Sequence, residues 1–346
     1  MNFVSILRAL WPVLLWLLAA PLARAQEPEP ELCWKIENDA LRLACYDRQG
    51  RTEEDRPVDP RLGYWQQRYP ESHDSVYSLL NYRWELTDNL GKFILRPYKP
   101  VYFLPLFYSN NPNPLPDSGN PRTTVTSPLD LDYSEAKLQL SFKTKLEDNL
   151  LGENIDLWFG FTQSSHWQIY NSNASRPFRE TNYEPELMLV HAMNFRLGSY
   201  TARMVSLSFN HQSNGRSEPL SRSWNRVILT LGFDRPDWAF LLRPWWRLPE
   251  TSADEDENPD ILDYVGRGEV LVVHRKGNSH QIAALVRHSL KDGSDSRGSV
   301  RIDWSYPCFN RLRCHLQVFS GYGESLIDFN HRTTAIGIGM ALLEWF

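Results

Sequence analysis

The sequence predicts an all-β protein: a twelve-stranded antiparallel transmembrane β-barrel with an N-terminal periplasmic extension. Three observations carry that prediction. From residue 96 onward, twelve segments alternate apolar and polar side chains with a period of two, parted by clusters of Gly, Pro, Asn and Asp. The first 25 residues hold an early basic residue, an apolar run and Ala23-Arg24-Ala25 ahead of Gln26, the pattern of an export signal. The chain ends in "RTTAIGIGMALLEWF", in which Ile336, Ile338, Met340, Leu342 and Phe346 face one way and Gly337, Gly339 and Ala341 the other.

Taken in order, residues 1–25 are read as a signal peptide, since their apolar run is short for a spanning anchor and the cleavage pattern is clear. Residues 26–95 are read as the periplasmic extension, acidic at first, helical between Cys33 and Cys45, then charged and rich in tyrosine. Residues 96–346 form the barrel, with strands expected at 96–109, 133–147, 154–170, 185–197, 200–214, 223–234, 237–249, 262–276, 279–291, 297–307, 314–326 and 331–346. In the third of these, Ile155, Leu157, Phe159 and Phe161 make a lipid-facing row opposite Asp156, Gly160 and Thr162. The 13 Trp residues, several near strand ends, suit the aromatic girdles of a membrane barrel. An even strand count allows closure, and closure satisfies every backbone group in lipid. The terminal aromatic is similar to the closing strand of bacterial outer-membrane barrels; Glu344 is the one break in its apolar row. With both ends in the periplasm, the loops 171–184, 214–222 and 250–261 fall on one outer rim.

Beyond residue 25 no run approaches the roughly 20 apolar residues of a spanning helix. Losing Arg8 and Arg24 with the signal takes the net charge from −5 to −7, which gives no support to nucleic-acid binding. The four cysteines fall in two local pairs, Cys33/Cys45 and Cys308/Cys314, which an oxidising compartment would join as disulfides. Neither pair has zinc-ligand partners nearby.

The segment "SLSFNHQSNGRSEPLSRSWNRVILTLGF" (206–233) breaks the pattern in an informative way. By parity His211 and Ser213 stand on the lipid-facing side with Val205, Leu207 and Phe209, and Asn225 stands with Val227, Leu229, Leu231 and Phe233. Polar groups on that face are costly unless they serve each other or a reaction. Two residues apart on a strand, His211 and Ser213 have α-carbons about 6.8 Å apart, and the next strand folds Asn225 back beside or near His211. A hydroxyl, an imidazole and an amide then converge as in an activated-nucleophile relay: Ser213 attacks an ester carbonyl, His211 takes its proton and Asn225 orients His211. Gln163 raises a similar point at the end of the row begun by Ile155; an amide facing lipid marks where another protein approaches, or else meets headgroups at the rim. His166, Trp158, Arg226 and Arg243 are read as polar packing inside the barrel.

"NHQSNGRSEPLSRSWNR" (210–226) resembles the active-site segment of the bacterial outer-membrane phospholipase A family. The likeness extends through "QSSHWQIYNSNASRPFRETNYEPEL" (163–187), "ENPDI" (257–261) and "SGYGESLIDFN" (320–330). The resemblance implies a calcium-dependent hydrolase of phospholipid acyl esters, with phospholipase A1, A2 and lysophospholipase activity. Its triad would be Asn225, His211 and Ser213, with the Gly215 N–H as oxyanion donor. It also implies one calcium per subunit at a dimer interface, held by the Arg216 carbonyl and Ser221 hydroxyl of one subunit and Ser175 of the other. A second calcium position matches Glu218 and Glu257, with Glu218 in place of the family's Asp. Gln163 would cross the dimer interface of an active homodimer that is dormant as a monomer. The outer membrane of a Gram-negative bacterium would hold the enzyme, with its active site on the extracellular side. Two other classes remain: a non-enzymatic porin or structural barrel, and a soluble secreted serine hydrolase.

Overall fold

The computed structural model describes residues 78–86, 90–250, 252, 255–276, 279–309 and 312–346, and residues 1–25, read above as an export signal, lie outside them, as do Cys33 and Cys45. Among the described residues, twelve strands follow one another in a single antiparallel sheet. They are β1 (Val101–Ser109), β2 (Ser134–Glu147), β3 (Ile155–Trp167), β4 (Phe178–Leu197), β5 (Tyr200–Ser213) and β6 (Ser223–Arg235). The series continues with β7 (Trp238–Leu248), β8 (Gly268–Lys276), β9 (His280–His288), β10 (Gly298–Phe309), β11 (Leu312–Tyr322) and β12 (Arg332–Leu343). Each strand pairs with its neighbour in the chain, and β12 returns to β1, setting Ile336 beside Tyr108 and Ile338 beside Leu106. The sheet therefore closes, and closure removes the unpaired edges that hydrocarbon could not solvate.

The period-2 alternation sorts side chains by face. On β5, Leu207 and Phe209 are exposed on the outside while Ser206, Ser208 and Asn210 are buried inside. On β12 the outward row is Ile336, Ile338, Met340 and Leu342. Gly337 faces inward, where a β-carbon would come within 2.7 Å of Leu104 and Phe107. Only the smallest residue lets β12 pack against that cluster.

Most of the described charge inside the barrel is paired, and buried Lys143, which has no ion-pair partner among the described residues, lies over the Trp84 ring. Arg243 bridges Glu269 at 2.7 Å and Glu186 at 3.3 Å, and Glu184 takes Lys99 at 2.7 Å and Arg226 at 3.1 Å. Buried charges are tolerable only with such partners. Trp158, His166, Arg226 and Arg243 all face this interior, as their parity predicts.

The two ends differ. Short turns at 148–154, 198–199 and 236–237 join strands at one end, while 110–133, 168–177, 214–222, 255–267 and 323–331 lie in long loops at the other. Outer-membrane barrels have this asymmetry, with short periplasmic turns and long outer loops. Both mouths are filled. At the short-turn end, helix α1 (Leu79–Trp84) buries Leu80 and Trp84 against Trp158, Met188, Met204, Trp345 and Phe346. Ser78 caps α1 and donates to Asp234, anchoring the helix inside β6. At the long-loop end, helix α2 (Ile261–Tyr264), Val265, Leu326 and Phe329 pack on Trp224 and Trp245.

Several sequence expectations shift. Residues 78–86 and 90–95, within the expected extension, pack with the barrel unit, though the two-residue ladder of Arg96 and Pro97 on β2 precedes its first true strand. Strand β4 begins at Phe178 and not at 185, because Glu180, Asn182, Glu184 and Glu186 alternate inward against Thr181, Tyr183, Pro185 and Leu187. Residues 262–267 turn through α2, so β8 starts only at Gly268. The terminal aromatics do not extend β12; past Leu343, Trp345 and Phe346 turn into the barrel, where Phe346 carbonyl accepts from Gln281 at 2.7 Å. Trp84, Trp158, Trp224, Trp245 and Trp345 are likewise interior, leaving Trp167, Trp238, Trp246 and Trp304 among the described residues for the girdles.

Cys308 and Cys314 form a disulfide across the turn between β10 and β11, with α-carbons 5.5 Å apart. Mass spectrometry of unreduced peptides is expected to find this link together with Cys33–Cys45. A crossed link such as Cys33–Cys308 would contradict the reading of residues 26–95 as a locally folded extension.

Candidate active site

Pairing across the β5–β6 hairpin sets His211 directly opposite Asn225 and Ser213 opposite Ser223. The His211 Nδ1 and Asn225 Oδ1 atoms are 2.9 Å apart. An amide oxygen only accepts, so Nδ1 carries the proton and Nε2 is left as a base. Ser213 follows on the same outer face of β5, at the last pair before the loop. All three side chains are part-exposed on the last pairs of the ladder before the loop.

The inner face behind them is rigid. Trp224 donates its indole N–H to Gln212 at 2.9 Å and stacks edge-on to Trp245. The Arg226 guanidinium lies 4.0 Å from the Trp224 ring and donates to Asn210 at 2.6 Å and Glu184 at 3.1 Å. Residues on either side of the outward pair are therefore fixed from within, which is how a strand holds reactive groups in place.

The loop 214–222 leaves β5 through Gly215, whose φ of +62° lies in the left-handed region that glycine adopts freely. Its β-carbon position would sit 3.4 Å from the Tyr183 ring, an ordinary contact, so the backbone conformation and not space calls for glycine here. Ser221 closes the loop and donates its hydroxyl to Glu257 of the loop after β7. The other Glu257 oxygen, Oε2, is buried without a hydrogen-bond partner. Glu218 points elsewhere, to Arg122 at 2.7 Å and 3.3 Å. Structure thus brings Ser221 and Glu257 together and does not bring Glu218 to Glu257. Ser175 is exposed on the loop 168–177, and Gln163 lies on the outer face beside Leu140 and Tyr183. Among the described residues no three His, Cys, Asp or Glu side chains cluster as a metal site.

Three residues that the sequence reading did not single out shape this loop. Asn214, buried, takes the Arg216 and Arg222 N–H groups on its side-chain oxygen and donates to the Leu220 carbonyl at 2.8 Å. Glu180, fully buried in β4, receives the same Asn214 amide at 3.2 Å. Arg222 donates to the Ser221 carbonyl at 2.7 Å and to the Asp117 carbonyl at 3.1 Å, tying the loop to 110–133. Burial lowers the Arg222 pKa, opposed by Glu180, Glu257 and Asp117. The Asn-Gly step at 214–215 is the one sequence signal, a turn marker at a strand end.

A family model described as Phospholipase A1 matches residues 80–342. The chain belongs to the phospholipase A1 family. As a member it is a carboxylic ester hydrolase acting on phospholipid, and an outer-membrane β-barrel. Putative phospholipase A1 from Neisseria meningitidis serogroup B is 38% identical over 270 residues, 77% of this chain and 70% of that relative. Among solved structures, outer membrane phospholipase A from Escherichia coli superposes with a TM-score of 0.65 at 34% identity, covering 75% of this chain and 96% of that one. That protein is also solved as an active-site mutant in which an asparagine is replaced by alanine. The Salmonella typhi outer membrane phospholipase, a dimer with bound calcium, has a TM-score of 0.64 at 34% identity over the same shares.

Proposed function

We propose that this phospholipase uses Ser213 as nucleophile, His211 as base and Asn225 to orient His211, on the outer rim of the barrel, with calcium and as a homodimer. The observation that carries the reading is the His211 Nδ1–Asn225 Oδ1 contact of 2.9 Å on the lipid face, one step from Ser213. His211 Nε2 takes the Ser213 proton as Oγ attacks the acyl carbonyl carbon. The resulting tetrahedral species collapses to an acyl-enzyme, and His211 returns the proton to the departing glycerol oxygen. Water then repeats the sequence and frees the fatty acid. Because Asn225 is neutral, no fixed charge is left on the lipid-facing surface.

Calcium fits the donors present. The Ser221 hydroxyl, the orphaned Glu257 Oε2 and an exposed Arg216 carbonyl are oxygen ligands of the kind it takes, and Ser175 of a second subunit would add another. When bound, the ion would stabilise negative charge on the carbonyl oxygen, alongside the Gly215 N–H. Glu218 is held by Arg122, so our reading has one calcium per subunit and no second site at Glu218. Gln163, an amide among outward apolar side chains, is assigned to the dimer interface. The long-loop rim faces outside, where phospholipid is scarce until the membrane is damaged; substrate arrival and dimerisation then switch a dormant monomer on.

Filled mouths weigh against the porin reading, since a pore needs an open bore and both ends here hold apolar clusters. Purified protein in detergent is expected to release fatty acid from both glycerol positions with calcium and to lose that activity on chelation. Conductance in planar bilayers without acyl hydrolysis would overturn the assignment.

A further inference from the structure

The loop after Ser213 owes its shape to one side chain. Asn214 spans the loop: its backbone N–H donates to the Arg222 carbonyl at 3.0 Å, and its amide oxygen accepts from Arg216 N at 3.3 Å and Arg222 N at 3.0 Å. The amide nitrogen donates to the Leu220 carbonyl at 2.8 Å and to Glu180 Oε2 at 3.2 Å. The Gly215 oxyanion donor and two of the calcium-binding groups assigned above, the Arg216 carbonyl and the Ser221 hydroxyl, lie inside the ring that Asn214 closes.

Glu180 in turn is fixed from the far side. Its Oε1 accepts from Asn182 at 2.6 Å and from the Ile327 N–H at 3.1 Å, and Asn182 accepts from Leu326 N at 2.9 Å. The loop 323–331, folded into the barrel mouth, thus holds Glu180, and Glu180 holds Asn214. Both side chains are almost wholly buried, at 0% and 3% exposure, so water does not replace either partner. A carboxylate suits the position because it accepts from all three donors and offers none of its own.

We propose that Glu180 and Asn214 are positioning residues, coupled across the inner wall of the barrel, that set the oxyanion donor and calcium-binding oxygens relative to Ser213. This rests on the calcium-dependent Ser213 reading above. Neither residue touches substrate; each acts through the loop 214–222. The amide introduced by Glu180→Gln presents a donor to the Asn214 donor and turns Asn214 away from the loop carbonyls. Asn214→Asp instead sets two carboxylates face to face. Combined, the two changes restore a donor–acceptor match between positions 180 and 214.

The test uses the full-length protein in detergent micelles, with hydrolysis of a phosphatidylcholine followed against calcium and against lipid. Folding is checked by heat-modifiable gel migration. Glu180→Gln is expected to raise half-saturating calcium about tenfold and lower kcat about tenfold, with KM for lipid little changed, an effect of the size of one lost buried hydrogen bond to a charge. Asn214→Asp is expected to do the same, and the double variant to recover part of both losses. A Glu180→Gln variant with wild-type calcium response overturns the proposal. So does a fall in kcat without a calcium shift and without recovery in the double variant, which a merely structural role would give. Calcium-independent hydrolysis by the wild type, or full activity of Ser213→Ala, marks instead the failure of the underlying reading.

Discussion

Ser213→Ala is expected to reduce acyl hydrolysis by at least about 10⁴-fold, roughly 5–6 kcal/mol of barrier, the scale seen when a nucleophile is removed from a hydrolase relay. The barrel should be untouched. Ser213 is outward on β5 at the last strand pair, and its hydroxyl is not part of the inner packing made by Gln212, Trp224 and Arg226. Heat-modifiable migration and far-UV circular dichroism should therefore match the wild type, so that lost activity reports lost chemistry. Asn225→Ala should be milder, about 10–10²-fold, because His211 still holds its base and loses only the acceptor that fixes its tautomer. Retained activity in Ser213→Ala would remove that residue from the mechanism whatever became of His211.

The same hairpin shows which features can be read without a structure. Parity alone put His211, Ser213 and Asn225 on one face, since a strand's side-chain period is a local property of the backbone. It could not say whether Asn225 stood opposite His211 or one pair away; the 2.9 Å contact depends on register, which the packing of both faces decides together. The partner of Asn214 was out of reach altogether, because Glu180 lies 34 residues earlier and on another strand. Its own segment misleads: Glu180, Asn182 and Glu184 read as a polar loop when their destination, the polar barrel interior, is unknown. Phe346 departs from its expected outward row for the converse reason. Parity sends a greasy terminal side chain toward lipid, yet the helix Leu79–Trp84 and the inward wall offer it a second apolar surface.

Calcium and assembly should be linked. If Ser221 and Arg216 bind the ion from one subunit and Ser175 from the other, calcium favours the dimer, and dimerisation must raise calcium affinity by the same factor. The measurement is sedimentation in detergent with chelator, with calcium, and with calcium plus a long-chain sulfonyl fluoride that reacts at Ser213. The dimer fraction is expected to rise in that order, by a coupling factor of about tenfold or more between chelator and calcium. If the outer face where Gln163 pairs with Leu140 and Tyr183 is the subunit interface, the acyl-like chain of the inhibitor would add to it by lying there. Ser221→Ala should flatten the calcium response, for it removes one ligand and frees Glu257 from the hydroxyl that now orients it. Glu218→Gln should leave the response near that of the wild type, because Glu218 is committed to Arg122. A monomer that hydrolyses at full rate with and without calcium would sink the shared site while leaving the Asn225–His211–Ser213 arrangement standing, since that arrangement is complete within one chain.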